Sequence, residues 1–138
     1  MRIALRLKSQ LSELTRVADA MARLGAEQHL PTDVVGELTL VLEEVISNII
    51  RHGCAGREDR QISLALDLSS EAITVTVQDD GTSFNPLTHP EPDVTRPLEA
   101  REVGGLGIFL VRRLMDEVTY QRDGGQNVLR MTRRIHPQ

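Results

Sequence analysis

The apolar residues of this chain change period from two to about three and a half and back again, and the changes divide it into elements. Ile3, Leu5 and Leu7 alternate with Arg2, Ala4 and Arg6, the pattern of a short half-buried strand whose charged side suits a sheet edge. Leu11, Leu14, Ala18, Met21 and Leu24 keep helical spacing from Ser9 to Leu24, with Ser9 placed as N-cap and Gly25 as the stop. Pro31-Thr32-Asp33 supplies a turn and a capping hydroxyl or carboxylate for the next helix, whose central stretch runs from Glu37 to Gly53. There Leu38, Leu42, Val45, Ile46 and Ile49 form one broad apolar stripe, and a left-handed turn is expected to close the helix at Gly53.

Further on, Ile62, Leu64, Leu66 and Leu68 alternate strictly, as do Ile73, Val75 and Val77, with Ser69-Ser70-Glu71 between them; the two runs predict an antiparallel hairpin. From Pro86 to Val103 the prolines 86, 90, 92 and 97 interrupt a polar stretch with no apolar period. Segments of that length in a compact domain are disordered or work as lids over a site, and a lid loop is expected over about 86–105. Ile108, Val111, Leu114 and Met115 then restart a helical period, and Val118, Tyr120, Asp123-Gly124-Gly125 and the run from Val128 to Ile135 give a last hairpin. This order predicts an α+β fold: a two-layer sandwich with a mostly antiparallel sheet of about five strands and three helices on one face.

Composition narrows the function. The 138 residues fit a single domain over 1–138. Two Phe, one Tyr and no Trp leave an aliphatic core and almost no base-stacking rings, and a net charge of −4 gives no footprint for a nucleic-acid backbone. Cys54 is the only cysteine, so there is no disulfide framework and no thiolate cluster, as expected of a reducing compartment. With no long apolar run and no leader pattern, no membrane attachment is expected and the cytoplasm is the expected location. Arg112, Arg113, Arg130, Arg133 and Arg134 read most simply as solvated faces, with contact of some of them to an acidic partner as the alternative.

Three polar signals stand out against this background. Glu44 and Asn48 are four apart on the central helix, one turn above each other at the edge of the apolar stripe; an ordinary surface hydrogen bond between them is the plainer alternative. Asp79 continues the period of Ile73, Val75 and Val77 onto the covered face of the sheet. A carboxylate there needs donors, either local backbone N–H groups or a ligand's amino group. Asp-Gly is also a strong turn signal, so Asp79-Asp80-Gly81 closing another hairpin is the alternative. Gly104-Gly105-Leu106-Gly107 runs into a helix N-terminus, where backbone N–H groups can meet a phosphate; flexibility or close packing is the alternative use of such glycines.

Taken together, LTLVLEEVISNIIRHG, VQDDGTSFNP, GGLGIFLVRRLMDEV and GGQNVLRM, in this order and spacing, resemble the N-box, the two glycine boxes and the closing hairpin of the bacterial anti-sigma-factor serine kinases. These belong to the ATPase superfamily that also holds gyrase, heat-shock chaperone, histidine-kinase and mismatch-repair ATPases. The Walker, Rossmann and protein-kinase motifs are absent. The resemblance implies ATP and Mg²⁺ as cofactors, with Asn48 as metal ligand, Glu44 as catalytic base and Asp79 accepting a hydrogen bond from the exocyclic amine of adenine. It also implies that Gly81 lets the backbone approach the base and that Gly104, Gly105, Leu106 and Gly107 hold the phosphates. Arg101 is the nearest candidate for a γ-phosphate clamp, and His52 either borders the phosphates or caps its helix. Gln126-Asn127 stands where the wider superfamily often has a threonine.

The implied function is an ATP-dependent serine/threonine protein kinase and anti-sigma regulatory factor, phosphorylating a STAS-type antagonist in a partner-switching system. Its expected partners are a sigma factor, the antagonist and a second copy of the chain as homodimer, with no nucleic acid and no membrane. The alternative is a nucleotide-gated adaptor that binds ATP and sequesters a regulator without transferring phosphate. The catalytic half of a sensor histidine kinase is disfavoured because no phospho-accepting helical hairpin precedes the domain. A gyrase- or chaperone-like clamp is disfavoured because the chain lacks a transducer domain.

Overall fold

A computed structural model describes residues 1–54, 60–82 and 105–135. The first strand, β1 (Arg2–Lys8), leads through a 3-10 turn, Leu11–Glu13, into helix α1 (Leu14–Glu27), and helix α2 (Thr32–Asn48) passes directly into a single π turn, Ile49–Gly53. Strands β2 (Gln61–Leu68) and β3 (Ala72–Asp79) form a hairpin; helix α3 (Gly105–Leu114) precedes a second one, β4 (Glu117–Asp123) and β5 (Gln126–Arg134). All pairings are antiparallel and the sheet order is β1-β2-β3-β5-β4. This is the expected α+β sandwich, five strands with three helices.

Three expected caps are not formed: α2 starts behind Pro31 with no side-chain cap from Thr32 or Asp33, and Ser9 and Gly25 serve other purposes. Ser9 does not cap α1; it is buried, its N–H donates to Arg60 O (2.9 Å) and its Oγ accepts from Arg60 N–H (3.1 Å), so it closes the end of the β1–β2 ladder. Gly25 does not stop α1 either. The helix continues past it to Glu27, and His29 takes the left-handed conformation (φ 53°). The N–H of Leu30 then returns to Gly25 O at 3.0 Å, the closing bond of a Schellman motif. Gly25 is used for close packing instead: a Cβ there would lie 2.6 Å from Val35 Cγ2 on α2.

The hairpin turns follow their sequences more closely. Ser69 Oγ accepts from the N–H of Glu71 and of Ala72 (3.3 and 3.1 Å), which fixes the β2–β3 turn. Gly124 and Gly125 both take positive φ (57° and 79°) between β4 and β5, as a two-residue hairpin whose turn matches the strand twist requires.

Register sorts the inner face of the sheet into rows. One row runs Ile3, Leu66, Val75, Met131, Val118, and the next Leu5, Leu64, Val77, Leu129, Tyr120. With Val17, Met21, Leu24, Leu38, Leu42 and Ile46 from the helices they make an aliphatic core. The third row reads Leu7, Ile62, Asp79, Asn127, Arg122. The core therefore ends at one edge of the sheet in a polar row, and α2 packs on both α1 and α3.

Candidate functional site

The polar row is built around Asp79, whose side chain is 4% exposed. β3 is flanked by β2 and β5, so its end does not open a hairpin with the next strand in sequence, and the carboxylate faces inward as its period requires. Two donors meet it. Gly81 N–H donates to Asp79 Oδ1 at 2.9 Å, a local Asx turn, and Asn127 Nδ2 donates to the same oxygen at 3.1 Å. Oδ2 has no hydrogen-bond partner among the described residues.

Asn127 is itself buried and held on all sides. Its Nδ2 also donates to Thr82 O (2.9 Å), and its Oδ1 accepts from Tyr120 Oη–H (2.5 Å) and Arg122 Nη1 (3.1 Å). Arg122 Nη1 donates in addition to Gly81 O at 2.8 Å. Asp79, Gly81, Thr82, Tyr120, Arg122 and Asn127 are thus one network joining β3, β4 and β5. Asn127 as a partner of Asp79 was not foreseen from sequence. Counting back from Met131 and Leu129 with a period of two would have placed it on the inner face.

On the helix side, Asn48 closes the α-helical part of α2. It is 4% exposed, and its Nδ2 is the one buried side-chain polar atom that lacks a hydrogen-bond partner among the described residues. The plainer reading, a surface bond from Asn48 to Glu44, is therefore not realised by that donor. Glu44 lies one turn earlier and is half-buried. The π turn that follows is closed by Cys54 N–H to Ile49 O at 2.8 Å; an inserted residue of this kind is common beside functional positions. It carries Cys54 to the sheet end. Burial raises the thiol above its ordinary pKa, and the neighbouring carboxylates of Asp79 and Asp80 push it the same way, against Arg60 and a hydrogen bond from Ser9. His52 is exposed on this turn.

Of the glycine run, Gly105, Leu106 and Gly107 form the first turn of α3, the position expected of a phosphate-facing segment. Gly104, Arg101 and the lid over 86–105, apart from Gly105 itself, lie outside the described residues. Arg133 departs from the solvated reading, since it pairs with Glu37; Arg113 is exposed as expected and lies over the ring of Phe109 at 5.2 Å. Among the described residues no helix is long and apolar enough to cross a membrane.

A divalent cation fits what Asn48 offers. A buried amide end without a protein partner is open to a ligand, and half a turn about the Cβ–Cγ bond presents its oxygen, the atom type Mg²⁺ takes, typically alongside waters and phosphates.

An antiparallel sheet with three helices, with a buried carboxylate at a strand end and a buried amide on the central helix, defines a two-layer α+β domain. Residues 7–133 match the model of the histidine kinase-like ATPase domain, and the chain belongs to that family. It is 33% identical over 108 residues to the serine-protein kinase RsbW of Listeria monocytogenes, covering 75% of this chain and 68% of that protein. It is 30% identical over 101 residues to the serine/threonine-protein kinase BtrW of Bordetella bronchiseptica, covering 73% and 71%. In fold it resembles the crystal structure of RsbU and RsbW domains from Mycobacterium tuberculosis, with a TM-score of 0.70 and 16% identity; 99% of this chain aligns with 33% of that one.

Proposed function

We propose that the chain is an ATP-dependent serine/threonine protein kinase and anti-sigma regulatory factor, which phosphorylates a STAS-type antagonist of a sigma factor. The observation that carries this is the buried Nδ2 of Asn48, which has no hydrogen-bond partner among the described residues, one helical turn from the half-buried Glu44. A structural helix gains nothing from such an atom, and leaving it unbonded costs about 1–3 kcal/mol. A Mg·nucleotide site recovers that cost when the ligand binds.

In this reading Asp79 Oδ2 accepts from the exocyclic amine of adenine, and Gly81 lets the base lie against the backbone. The N–H groups of Gly104, Gly105, Leu106 and Gly107 face the phosphates, with the positive end of α3 behind them. Asn48 would hold Mg²⁺, which would supply neutralisation of phosphate charge when bound. Glu44 takes the proton of the antagonist's hydroxyl as its oxygen bonds to the γ-phosphorus and the bond to the bridging oxygen of ADP breaks. Residues 1–138 act as one domain, in the cytoplasm and as a homodimer, alternating between sigma factor and antagonist. The serine- and serine/threonine-protein kinase names of the relatives support the reaction class.

The test is incubation of the chain with ATP labelled at the γ-phosphate and STAS-type proteins from the same cell. Label is expected on a serine or threonine of one of them, and Glu44→Gln is expected to bind nucleotide while transferring at least about a hundredfold more slowly. Nucleotide binding without transfer to any of them would leave a gated adaptor in its place. Full transfer by Glu44→Gln would remove Glu44 as base.

A further inference from the structure

We infer that Asn127 is the positioning residue of base recognition: it locks the Asp79 carboxylate so that a single oxygen, Oδ2, faces the ligand and only a donor at the base can meet it. The inference rests on the assignment of Asp79 to adenine proposed above and adds the residues that enforce it.

The bonding of the Asn127 amide admits one orientation. Both amide hydrogens have acceptors, Asp79 Oδ1 and Thr82 O, and the amide oxygen has two donors, Tyr120 Oη–H and Arg122 Nη1. Turning the amide over would set Nδ2 against the Arg122 donor and Oδ1 against two acceptors, Asp79 Oδ1 and Thr82 O. Through Asn127 the orientation is passed on to Asp79, whose Oδ1 takes the Asn127 and Gly81 hydrogens. With one oxygen held by two fixed donors, the carboxylate cannot turn about its Cβ–Cγ bond without losing both. A carboxylate accepts and does not donate, so the remaining oxygen suits the amine at position 6 of adenine and opposes the carbonyl that replaces it in hypoxanthine. Sites built around a hydrogen bond of this kind reject the mismatched analogue strongly, because the buried group is left unpaired.

Arg122 gives the lock its second function. Its guanidinium is held away from Asp79 by Asn127 Oδ1 and Gly81 O. Without the Asn127 side chain it is free to swing onto the carboxylate and occupy the oxygen that the base needs. Tyr120 and Arg122 lie on β4 and Asn127 on β5, so the β4–β5 hairpin, which contributes none of the phosphate- or metal-facing residues, sets which base is accepted.

The experiment is calorimetric titration of the full chain with Mg·ATP and with Mg·ITP, for wild type, Asn127→Ala and Tyr120→Phe. Wild type is expected to prefer ATP by at least about tenfold. Asn127→Ala is expected to lose most of that preference through weaker ATP binding, with the ITP affinity changed less than about threefold. Tyr120→Phe, which keeps the ring and removes one bond to Asn127, is expected to reduce the preference by about threefold and serves as the deciding variant if Asn127→Ala does not fold. An equal loss for both nucleotides, or an undiminished ratio in the folded variants, overturns the inference while leaving Asp79 as the adenine contact. Equal wild-type affinities, or no binding of either nucleotide, overturn the adenine assignment and this inference with it.

Discussion

Arg133 of β5 and Glu37 of α2 are bound to one another: Nε and Nη2 both donate to Glu37 Oε2, at 3.0 and 2.7 Å. Arg133 continues the inner-face series of Asn127, Leu129 and Met131, and its side chain is only 14% exposed. The sheet therefore presents polar side chains at both ends of β5, with the aliphatic core between them. At this end the helix layer supplies the partner.

Removing that partner has a cost between those of surface and buried pairs. Arg133→Ala is expected to destabilise the fold by about 1–2 kcal/mol in urea denaturation, and the double variant with Glu37→Ala to lose little more than either single one. Additive losses would show that the two side chains stabilise the fold independently. Nucleotide affinity should be unchanged, since the pair sits at the far end of β5 from Asn127.

Asn48→Leu separates stability from function. The amide is buried and its Nδ2 has no partner among the described residues, so a similarly shaped apolar side chain removes a desolvation penalty, and the ligand-free protein is expected to hold or gain up to about 1 kcal/mol. Stabilisation by Mg·ATP, which follows mass action on the folded state, is expected to disappear. A thermal melt that falls sharply without ligand would mean that the amide is needed by the fold.

Gly25→Ala tests the contact between α1 and α2. Alanine favours a helix over glycine by about 1 kcal/mol, but its Cβ would lie 2.6 Å from Val35 Cγ2. Overpacking is expected to win, with a net loss of about 1–2 kcal/mol. The companion Val35→Ala should recover most of it in the double variant, and a stabilised Gly25→Ala single variant would contradict the close approach.

Cys54 should be slow to react. Burial raises its pKa, and the Asp79 and Asp80 carboxylates push the same way, so the thiolate is disfavoured in the folded state relative to the unfolded one. The associated stability is fully present below the ordinary thiol range, about 8.5, and is lost as pH rises through the higher folded value. Alkylation by iodoacetamide at pH 8, followed by mass spectrometry, is expected to be at least about tenfold slower in native protein than in urea. Equal rates would show an accessible thiolate.

Much of the site was legible in the chain because its residues break a period. Asp79 interrupts an apolar alternation on the covered face, and Asn48 sits among apolar helix positions; each is a polar group where burial demands a partner. The helix stops were harder to read. Gly25 had the composition of a terminus, but a glycine can be selected for the space its missing Cβ leaves, and only the position of Val35 distinguishes the two uses. Ser9 had the composition of an N-cap, yet its hydroxyl closes a ladder with Arg60, far away in sequence. Arg133 looked like a solvated charge because the carboxylate that meets it comes from a helix early in the chain.

The sequence by itself determined the elements, their order, the inner face of each strand and the positions where polarity is forced into the interior, since local periodicity and turn chemistry depend only on neighbours along the chain. The partners of those polar positions were decided by the tertiary structure. Asn127 reaches Asp79, and Arg122 reaches Gly81, only because β5 inserts between β3 and β4 in one register. Hydrogen bonds across a sheet act over a few ångströms between residues far apart in sequence, and nothing in the local pattern of either residue records the meeting.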